Sequence, residues 1–190
     1  MALKKAGTKK PRRVVIDASS AILLFKAGLL DLLTRVYRIV MTPSVLDETT
    51  RPGYPGARLV ESLRSAGAIV ILASKPADVD GLPTLGRGER DTIGAFLQGA
   101  ADFVIIDDGK GAGFCRDHAI PYINALLVPR ILVLSGQMSP RDGRKHTEAI
   151  LAVGRYSPQI ANYAATCPPE VLDFFLPSAP RIAAASRPPK

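Results

Sequence analysis

The sequence is poor in the residues that build zinc sites and disulfide frameworks. It contains two cysteines and two histidines among 190 residues. The cysteines, Cys115 and Cys167, lie far apart in the chain and have no Cys-x-x-Cys spacing. This pattern excludes a zinc framework and a disulfide scaffold, so we expect both cysteines to be ordinary thiols.

Long hydrophobic runs are also missing. A helix needs about 20 apolar residues to cross a bilayer, and the best candidate, residues 123–134, is interrupted by Arg130. The basic N-terminus leads directly into a short strand-like run, without the apolar segment and cleavage site of a secretory signal. We therefore expect no membrane span and a cytoplasmic location. The hydrophobic content of 47% is typical of a folded globular chain.

The net charge of +8 comes from the two ends of the chain. Residues 1–13 contain six basic residues and no acidic residue, and residues 177–190 contain three basic residues and no acidic residue. Residues 14–176 contain 16 basic and 17 acidic side chains. Attraction to a polyanion would therefore come from the ends or from a local patch. A role of the ends in solubility alone is the open alternative.

Short β-branched runs alternate with helix-like segments over the first two thirds of the chain. Buried strands are predicted at residues 14–16, 37–42, 68–72, 103–106 and 121–123. Helices are predicted between these runs and across residues 125–175. Because strands that alternate with helices form parallel βαβ units, the pattern predicts an α/β fold with helices on both faces of one sheet.

Acidic residues follow two of the predicted strands at the point where each strand ends. Asp17 follows the first strand, and Asp107 and Asp108 follow the fourth. Glu48 and Glu89 lie near the starts of helices that should face the same edge of the sheet. Ligands of parallel α/β proteins bind at this edge. Because carboxylates that converge there need a cation, and their oxygens suit Mg²⁺ or Mn²⁺, the pattern predicts a divalent metal site.

Each of these acids also has a purely structural explanation. Asp17 and Glu89 could cap helices, Glu48 could be a solvated helix residue, and Asp108 could form an Asx turn before Gly109. Their shared position at one edge of the sheet favours a metal site over four independent structural roles.

Four segments of the sequence match the motifs of a known family in order, spacing and flanking apolar runs. They are VVIDASSAILLFKAGLLDLL, TPSVLDE, LGRGERDTI and ADFVIIDDGKGAGFCRDHAI. On these segments, which cover most of residues 13–135, the chain resembles the PIN domain family of metal-dependent nucleases. This family includes toxin ribonucleases of toxin–antitoxin pairs and RNA-processing enzymes. The resemblance implies a three-layer α/β/α sandwich with a central, mainly parallel sheet and a C-terminal helical extension.

The resemblance also implies a set of site residues. The implied catalytic residues are Asp17, Glu48, Glu89 and Asp108, and the implied metal ligands are Asp17, Glu48, Glu89, Asp107 and Asp108. The Gly-x-Gly-Glu form of residues 86–89 favours Glu89 over Asp91. Many relatives have Thr or Ser where this chain has Ile106, which leaves open whether Asp107 or Asp108 is the main ligand.

The implied activity is hydrolysis of RNA by a water that Mg²⁺ or Mn²⁺ activates, with single-stranded RNA as the favoured substrate. The side chains expected to contact the substrate are Ser19, Arg87, Arg90 and Lys110, and Ser19 also resembles the small hydroxyl residue that often supports the first acid of the family. Solvated surface charge is the open alternative for the three cations among them. His118 and His146 are interpreted as surface or helix residues, because nothing in the chain resembles a two-histidine nuclease. A toxin role, with an antitoxin protein as partner, is expected from the same resemblance.

The predicted organisation is one nuclease domain with appendages. Residues 1–12 form a basic flexible tail, residues 13–135 the PIN-like domain, residues 136–176 a helical extension packed on it, and residues 177–190 a Pro/Ala-rich disordered tail. In one similar subgroup the helical surface serves dimerisation, so we expect a homodimer. Four apolar residues of this region could serve that surface or could equally be core: Leu126, Leu127, Ile131 and Leu132.

Other functions fit the sequence less well. Residues 109–113 are rich in glycine but lack the G-x-x-x-x-G-K-[ST] spacing of a phosphate loop. A receiver-type phosphoacceptor would not need Glu48 and Glu89. The open alternative is a non-catalytic module with the same fold that binds RNA or protein, which the departure from the family pattern before Asp107 keeps in play.

Overall fold

The centre of the molecule is a parallel sheet. The computed structural model describes residues 10–72 and 80–178. Within these residues the strands are β1 (Arg13–Ile16), β2 (Arg38–Met41), β3 (Ile69–Ile71), β4 (Phe103–Ile105) and β5 (Tyr122–Ile123). They form one five-stranded sheet in the order β3-β2-β1-β4-β5, and every pairing is parallel. The predicted parallel α/β architecture is therefore confirmed.

Helices cover both faces of the sheet. In the described residues they are α1 (Ala18–Lys26), α2 (Leu30–Val36), α3 (Pro43–Thr49), α4 (Ala57–Ser65), α5 (Arg87–Leu97), α6 (Gly109–Asp117), α7 (Val128–Leu134), α8 (Pro140–Val153), α9 (Pro158–Thr166) and α10 (Pro169–Leu172). Helices α5 and α6 pack on one face, and α1 to α4 together with α7 pack on the other. The predicted three-layer α/β/α sandwich is confirmed by this arrangement.

The strands are continuous apolar runs because both of their faces are buried. Val14 and Ile16 point to the face covered by α1 and α2, whereas Val15 points to the face covered by α5. All three side chains are fully buried. A strand covered on one side only would alternate apolar and polar residues. The continuous apolar runs are therefore the feature from which these strands could be predicted.

The order of the strands creates a crevice at one edge of the sheet. From β1 the chain passes to β2 on one side, and it later returns to place β4 on the other side of β1. Such a change of direction leaves a gap between the connections at the carboxyl ends of the two strands, which is where parallel α/β proteins bind ligands. Asp17 and Asp107 follow β1 and β4 at this point.

The C-terminal helices share the core of the sheet domain. Ile150 of α8 and Leu172 of α10 are buried in the same apolar cluster as β1. The ring nitrogen Nδ1 of His146 lies 2.7 Å from the carbonyl oxygen of Ala27, which ties α8 to the end of α1. The Tyr37 hydroxyl donates a hydrogen bond to the carbonyl oxygen of Phe175. These contacts hold the extension against the sheet domain.

Several predictions fall inside the core or outside the described residues. The four apolar residues considered for a dimer surface are at most 6% exposed and belong to the protein's own core: Leu126, Leu127, Ile131 and Leu132. Most of the two predicted tails, residues 1–9 and 179–190, lies outside the described residues. Among the described helices, none combines the length and apolar character that a membrane crossing requires.

Candidate active site

An open pocket of about 540 Å³ lies at the carboxyl ends of β1 and β4. All five carboxylates singled out in the sequence line it: Asp17, Glu48, Glu89, Asp107 and Asp108. They come from four separate stretches of the chain, which the parallel topology brings to one edge of the sheet. Ser19 and Arg87 also line the pocket, whereas the described lining does not include Arg90 or Lys110.

Asp17 is the most deeply buried acid of the site. It is the residue that caps α1, and its side chain is only 3% exposed. Its Oδ1 atom accepts a hydrogen bond of 2.9 Å from the backbone N–H of Ser20, and its Oδ2 atom accepts one from the Ser19 hydroxyl. Burial raises the pKa of Asp17 to about 6, although these hydrogen bonds oppose the rise. The site therefore holds a carboxylate whose charge is poorly solvated.

Asp107 is the neighbouring strand-end acid. Its Oδ2 atom accepts a hydrogen bond of 2.9 Å from the backbone N–H of Ala125, and its Oδ1 atom accepts one from the Tyr156 hydroxyl. Burial raises the pKa of Asp107 as well, and its negative charge adds to the rise at Asp17. Two poorly solvated carboxylates beside each other disfavour their own ionisation unless a cation joins them.

The remaining acids combine a pocket position with a local structural role. Asp108 caps α6, because its Oδ1 atom accepts hydrogen bonds from the backbone N–H groups of Lys110 (2.8 Å) and Gly111 (3.1 Å). Glu89 reaches back to the start of α5, where its Oε2 atom accepts a 2.9 Å hydrogen bond from the N–H of Gly86. The structural explanations considered for these two residues are therefore correct, and both residues still line the pocket.

Glycines allow the acids to approach the surrounding backbone. A Cβ atom on Gly88 would lie 3.2 Å from Glu48 Oε1, so a side chain at this position would press on that carboxylate. A Cβ atom on Gly111 would lie 2.3 Å from the Cδ1 atom of Ile106. The absence of a side chain at Gly111 lets the first turn of α6 sit directly on the end of β4, which brings Asp108 to the pocket.

The donor set of the pocket suits a divalent cation that prefers oxygen ligands. Five carboxylates are available, and the hydroxyl oxygen of the fully buried Ser20 makes no well-formed hydrogen bond to any described residue. Ser20 lies close enough to Asp17 and Asp107 to lower the pKa of both. The Ser20 hydroxyl therefore adds one more oxygen donor beside these two carboxylates. The residues therefore fit Mg²⁺ or Mn²⁺ in their chemistry.

The side chains do not yet converge on one point. In the part of the chain that the structure describes, no three His, Cys, Asp or Glu side chains are gathered closely enough to hold a metal ion. Glu89 and Asp108 are turned towards backbone N–H groups, which explains part of this spread. A cation bound by three or more carboxylates would thus require at least one of these side chains to change its conformation.

Three cations surround the acidic pocket. Lys26, Arg87 and Arg155 line it, and all three are exposed. Arg87 lies 3.9 Å from Asp91, a long contact between side chains that leaves its guanidinium available to other anions. Exposed cations in the lining of a pocket that also holds less exposed carboxylates suit a polyanion whose phosphate lies over the acids.

The histidines and cysteines lie away from this chemistry. Neither histidine is among the described residues that line the pocket: His118 stacks on Phe114 at the end of α6, and His146 contacts α1. Both cysteines are buried free thiols. Burial raises the pKa of Cys115 to about 12, so its reactive thiolate form is scarce at neutral pH.

Three polar side chains of the pocket lining were missed by the sequence analysis: Lys26, Arg155 and Tyr156. For Lys26 a signal exists, because Ser19, Ile22 and Lys26 share one face of α1 at helical spacing, so a lysine at that position faces the same side as Ser19. Arg155 and Tyr156 follow the last turn of α8, far along the chain from every acid of the pocket. No spacing rule links them to the pocket.

Comparison with known protein families gives a match over residues 13–156, and the matching family is described as a PIN domain. The matched stretch contains every acid of the pocket and ends at Tyr156. No curated protein and no solved structure matches the chain.

Proposed function

The chain belongs to the PIN domain family, and from this premise we propose that it is a divalent-metal-dependent endoribonuclease. PIN domains are commonly nucleases, and they generally use divalent metal ions. The finer proposal is hydrolysis of phosphodiester bonds of single-stranded RNA with Mg²⁺ or Mn²⁺ as the cofactor.

One observation carries this proposal. Five carboxylates line a single pocket at the carboxyl ends of two adjacent parallel strands, and exposed cations surround them. Acids in a crevice repel each other, and the capping roles of three of them do not remove this repulsion, whereas a cation bound among them would. The cations around the pocket favour a substrate with repeated negative charge. A metal-dependent enzyme acting on a phosphate polymer accounts for both features.

The acids take different roles in this proposal. Asp17 and Asp107 would hold the cation, because they stand side by side at the strand ends and both lie beside the Ser20 hydroxyl. Asp107 is close enough to Asp17 for its charge to raise the pKa of that residue, whereas Asp108 caps α6 through its Oδ1 atom, so we assign the main strand-end role to Asp107 rather than to Asp108. Glu89 would be a further ligand if its carboxylate turned away from the N–H of Gly86.

Glu48 is assigned to accept the proton of the attacking water. It lines the pocket, and its carboxylate has no hydrogen bond to any residue of the described part of the chain. Hydrolysis forms a bond between the water oxygen and phosphorus, breaks a phosphorus–oxygen ester bond and moves the water's proton to a carboxylate oxygen of Glu48. The leaving oxygen takes up a proton from solvent. When bound, the cation supplies Lewis acidity that lowers the pKa of water and neutralises the phosphate.

The cations position the substrate. Lys26, Arg87 and Arg155 lie around the acids and would contact phosphates on either side of the scissile bond. The Ser19 hydroxyl is already donated to Asp17, so we assign it to orienting that carboxylate rather than to binding RNA. Arg90 and Lys110 remain secondary candidates for more distant phosphates.

The test is cleavage of a panel of labelled single-stranded and double-stranded RNA and DNA by the purified protein. Each substrate is incubated with Mn²⁺, Mg²⁺ or EDTA, and Asp17→Asn is purified in parallel to reveal contaminating nucleases. We expect metal-dependent cutting of single-stranded RNA by the wild type alone. Equal cutting by both proteins would contradict the assignment of the site, and metal binding without any cutting would favour the non-catalytic RNA- or protein-binding module.

A toxin role, an antitoxin partner, a homodimer and a cytoplasmic location complete the proposal. They follow from the resemblance to toxin relatives rather than from the pocket. A neighbouring gene for a small DNA-binding protein that abolishes cleavage on co-purification would support the toxin role. Light scattering on the purified protein tests the homodimer, and a monomer mass at micromolar concentration would contradict it.

A further inference from the structure

We propose that Tyr156 is a positioning residue for Asp107, which makes the C-terminal extension a working part of the metal site. The inference rests on the proposed function, because it concerns how the same site holds its cation. Tyr156 would act through Asp107 and would not contact the reacting atoms.

The first argument is the contact itself. The Tyr156 hydroxyl donates a hydrogen bond to Oδ1 of Asp107, although 49 positions separate the two residues in the chain. The backbone N–H of Ala125 donates to Oδ2 of the same carboxylate. The two donors come from separate segments, one from the turn after β5 and one from the segment after α8, and each binds a different oxygen, so together they restrict the rotation of the carboxylate plane.

Fixing Asp107 in this way leaves it able to bind a cation. Each oxygen of an ionised carboxylate accepts two hydrogen bonds or ligand contacts, and each oxygen of Asp107 has one described donor. Partners of this kind orient a metal ligand, and their loss commonly reduces metal affinity or activity about 10-fold to 100-fold.

The second argument is the way in which the Tyr156 ring is held. A Cβ atom on Gly154 would lie 2.4 Å from Cε2 of the Tyr156 ring, so the ring rests directly on the backbone of this glycine. The helix that precedes it is anchored by the buried Ile150 and by the contact between His146 and Ala27. The hydroxyl is therefore presented to Asp107 by a packed support and not by a free surface side chain.

The third argument is the position of this segment in the pocket. Val153, Gly154, Arg155 and Tyr156 all line the acidic pocket. Packing against the sheet alone does not require a hydrogen bond from this segment to a strand-end carboxylate, yet Tyr156 makes one to Asp107. The extension thus supplies one wall of the site and the donor that orients Asp107.

The test compares the wild type with Tyr156→Phe, which removes the hydroxyl and keeps the ring. Mn²⁺ binding to the metal-free protein is measured by calorimetry without RNA, and kcat and KM for RNA cleavage are measured with saturating Mn²⁺. We expect Mn²⁺ affinity to fall about 10-fold or more, with KM for RNA within about twofold of the wild type because the cations around the pocket are intact.

Two further variants separate positioning from stability. Tyr163→Phe removes the hydroxyl of an exposed tyrosine in the same extension, whose hydroxyl has no hydrogen bond to a described residue, and it should bind Mn²⁺ like the wild type. Gly154→Ala should push the Tyr156 ring aside and lower Mn²⁺ affinity in the same direction as Tyr156→Phe. Urea unfolding in EDTA is measured for every variant.

The outcomes distinguish this inference from the proposed function. Wild-type Mn²⁺ affinity in Tyr156→Phe would overturn the positioning role while leaving the nuclease intact, and a lowered urea midpoint with unchanged Mn²⁺ affinity would make the tyrosine merely structural. A wild-type protein that neither binds Mn²⁺ nor cuts RNA would overturn both. Reduced affinity in Tyr156→Phe and Gly154→Ala, but not in Tyr163→Phe, is the result that the inference requires.

Discussion

Replacing the deepest acid of the site should make the metal-free protein more stable while removing its activity. Asp17 is 3% exposed, and burial raises its pKa from 3.8 to about 6. The variant Asp17→Asn keeps the size of the side chain and keeps an oxygen that can accept the N–H of Ser20, but it removes the charge. We therefore expect Asp17→Asn to fold and to gain stability at neutral pH.

The size and the pH window of the gain follow from the pKa. A rise from 3.8 to about 6 corresponds to about 3 kcal/mol between the two protonation states. Between about pH 4 and pH 6 the folded protein keeps the Asp17 proton that the unfolded chain has released, so the free energy of unfolding falls as the pH rises. Below this pH window both states keep the proton, so Asp17 costs the folded state nothing. Above it both states are ionised, and the free energy of unfolding of the wild type is lower by the full amount of about 3 kcal/mol. Asn carries no such penalty at any pH.

The assay is urea unfolding of wild type and Asp17→Asn in EDTA at several values between pH 4 and pH 8. The difference in unfolding free energy should move by about 2 to 3 kcal/mol in favour of the variant across this range. Adding Mn²⁺ at pH 7.5 should stabilise the wild type and leave the variant unchanged, because a ligand stabilises only the protein that binds it. If the difference in unfolding free energy between the two proteins did not change with pH, the argument that the ionised Asp17 carboxylate destabilises the metal-free fold would be refuted.

Two further predictions concern the rim and the core. Arg155→Ala should raise KM for single-stranded RNA about threefold to tenfold at low salt and leave Mn²⁺ affinity unchanged, because it removes the phosphate contact proposed for this pocket residue. Arg144→Ala, on an exposed part of α8 outside the described pocket lining, is the matched control, and equal effects of both variants would argue against a specific contact. Leu132→Ala should reduce the free energy of unfolding by about 2 to 5 kcal/mol, because Leu132 is fully buried in the core; a loss below about 1 kcal/mol together with a changed oligomer mass would instead place this leucine at an interface.

The sheet was predictable because its strands are short and covered on both faces. Because both faces of these strands are buried, they are recognisable in the sequence as continuous runs of mostly β-branched residues, and a polar residue marks the end of each run. The ends of the second strand were predicted one residue too far on both sides, at residues 37 and 42. Tyr37 is instead the residue that ends α2, and Thr42 caps the start of α3. Both residues therefore belong to helix ends, and the strand is limited to residues 38–41.

The acids were predictable for the same topological reason, since parallel strands carry the residues after them to one edge. Their individual roles were not predictable, because a carboxylate that caps a helix and one that faces a pocket occupy the same place in the sequence. Asp108 and Glu89 do both. The contact between Tyr156 and Asp107 could not be predicted from the sequence, because it depends on how α8 packs against α1 and not on any local spacing.

The most direct test of the central claim is the rate at which purified protein cuts single-stranded RNA as Mn²⁺ is titrated, for wild type and Asp17→Asn side by side. The account predicts saturable metal-dependent cleavage by the wild type and a loss of at least about 100-fold in the variant, since a direct ligand should matter more than the residues that orient it. Cleavage that persists in EDTA, or that is equally fast in both proteins, would contradict it.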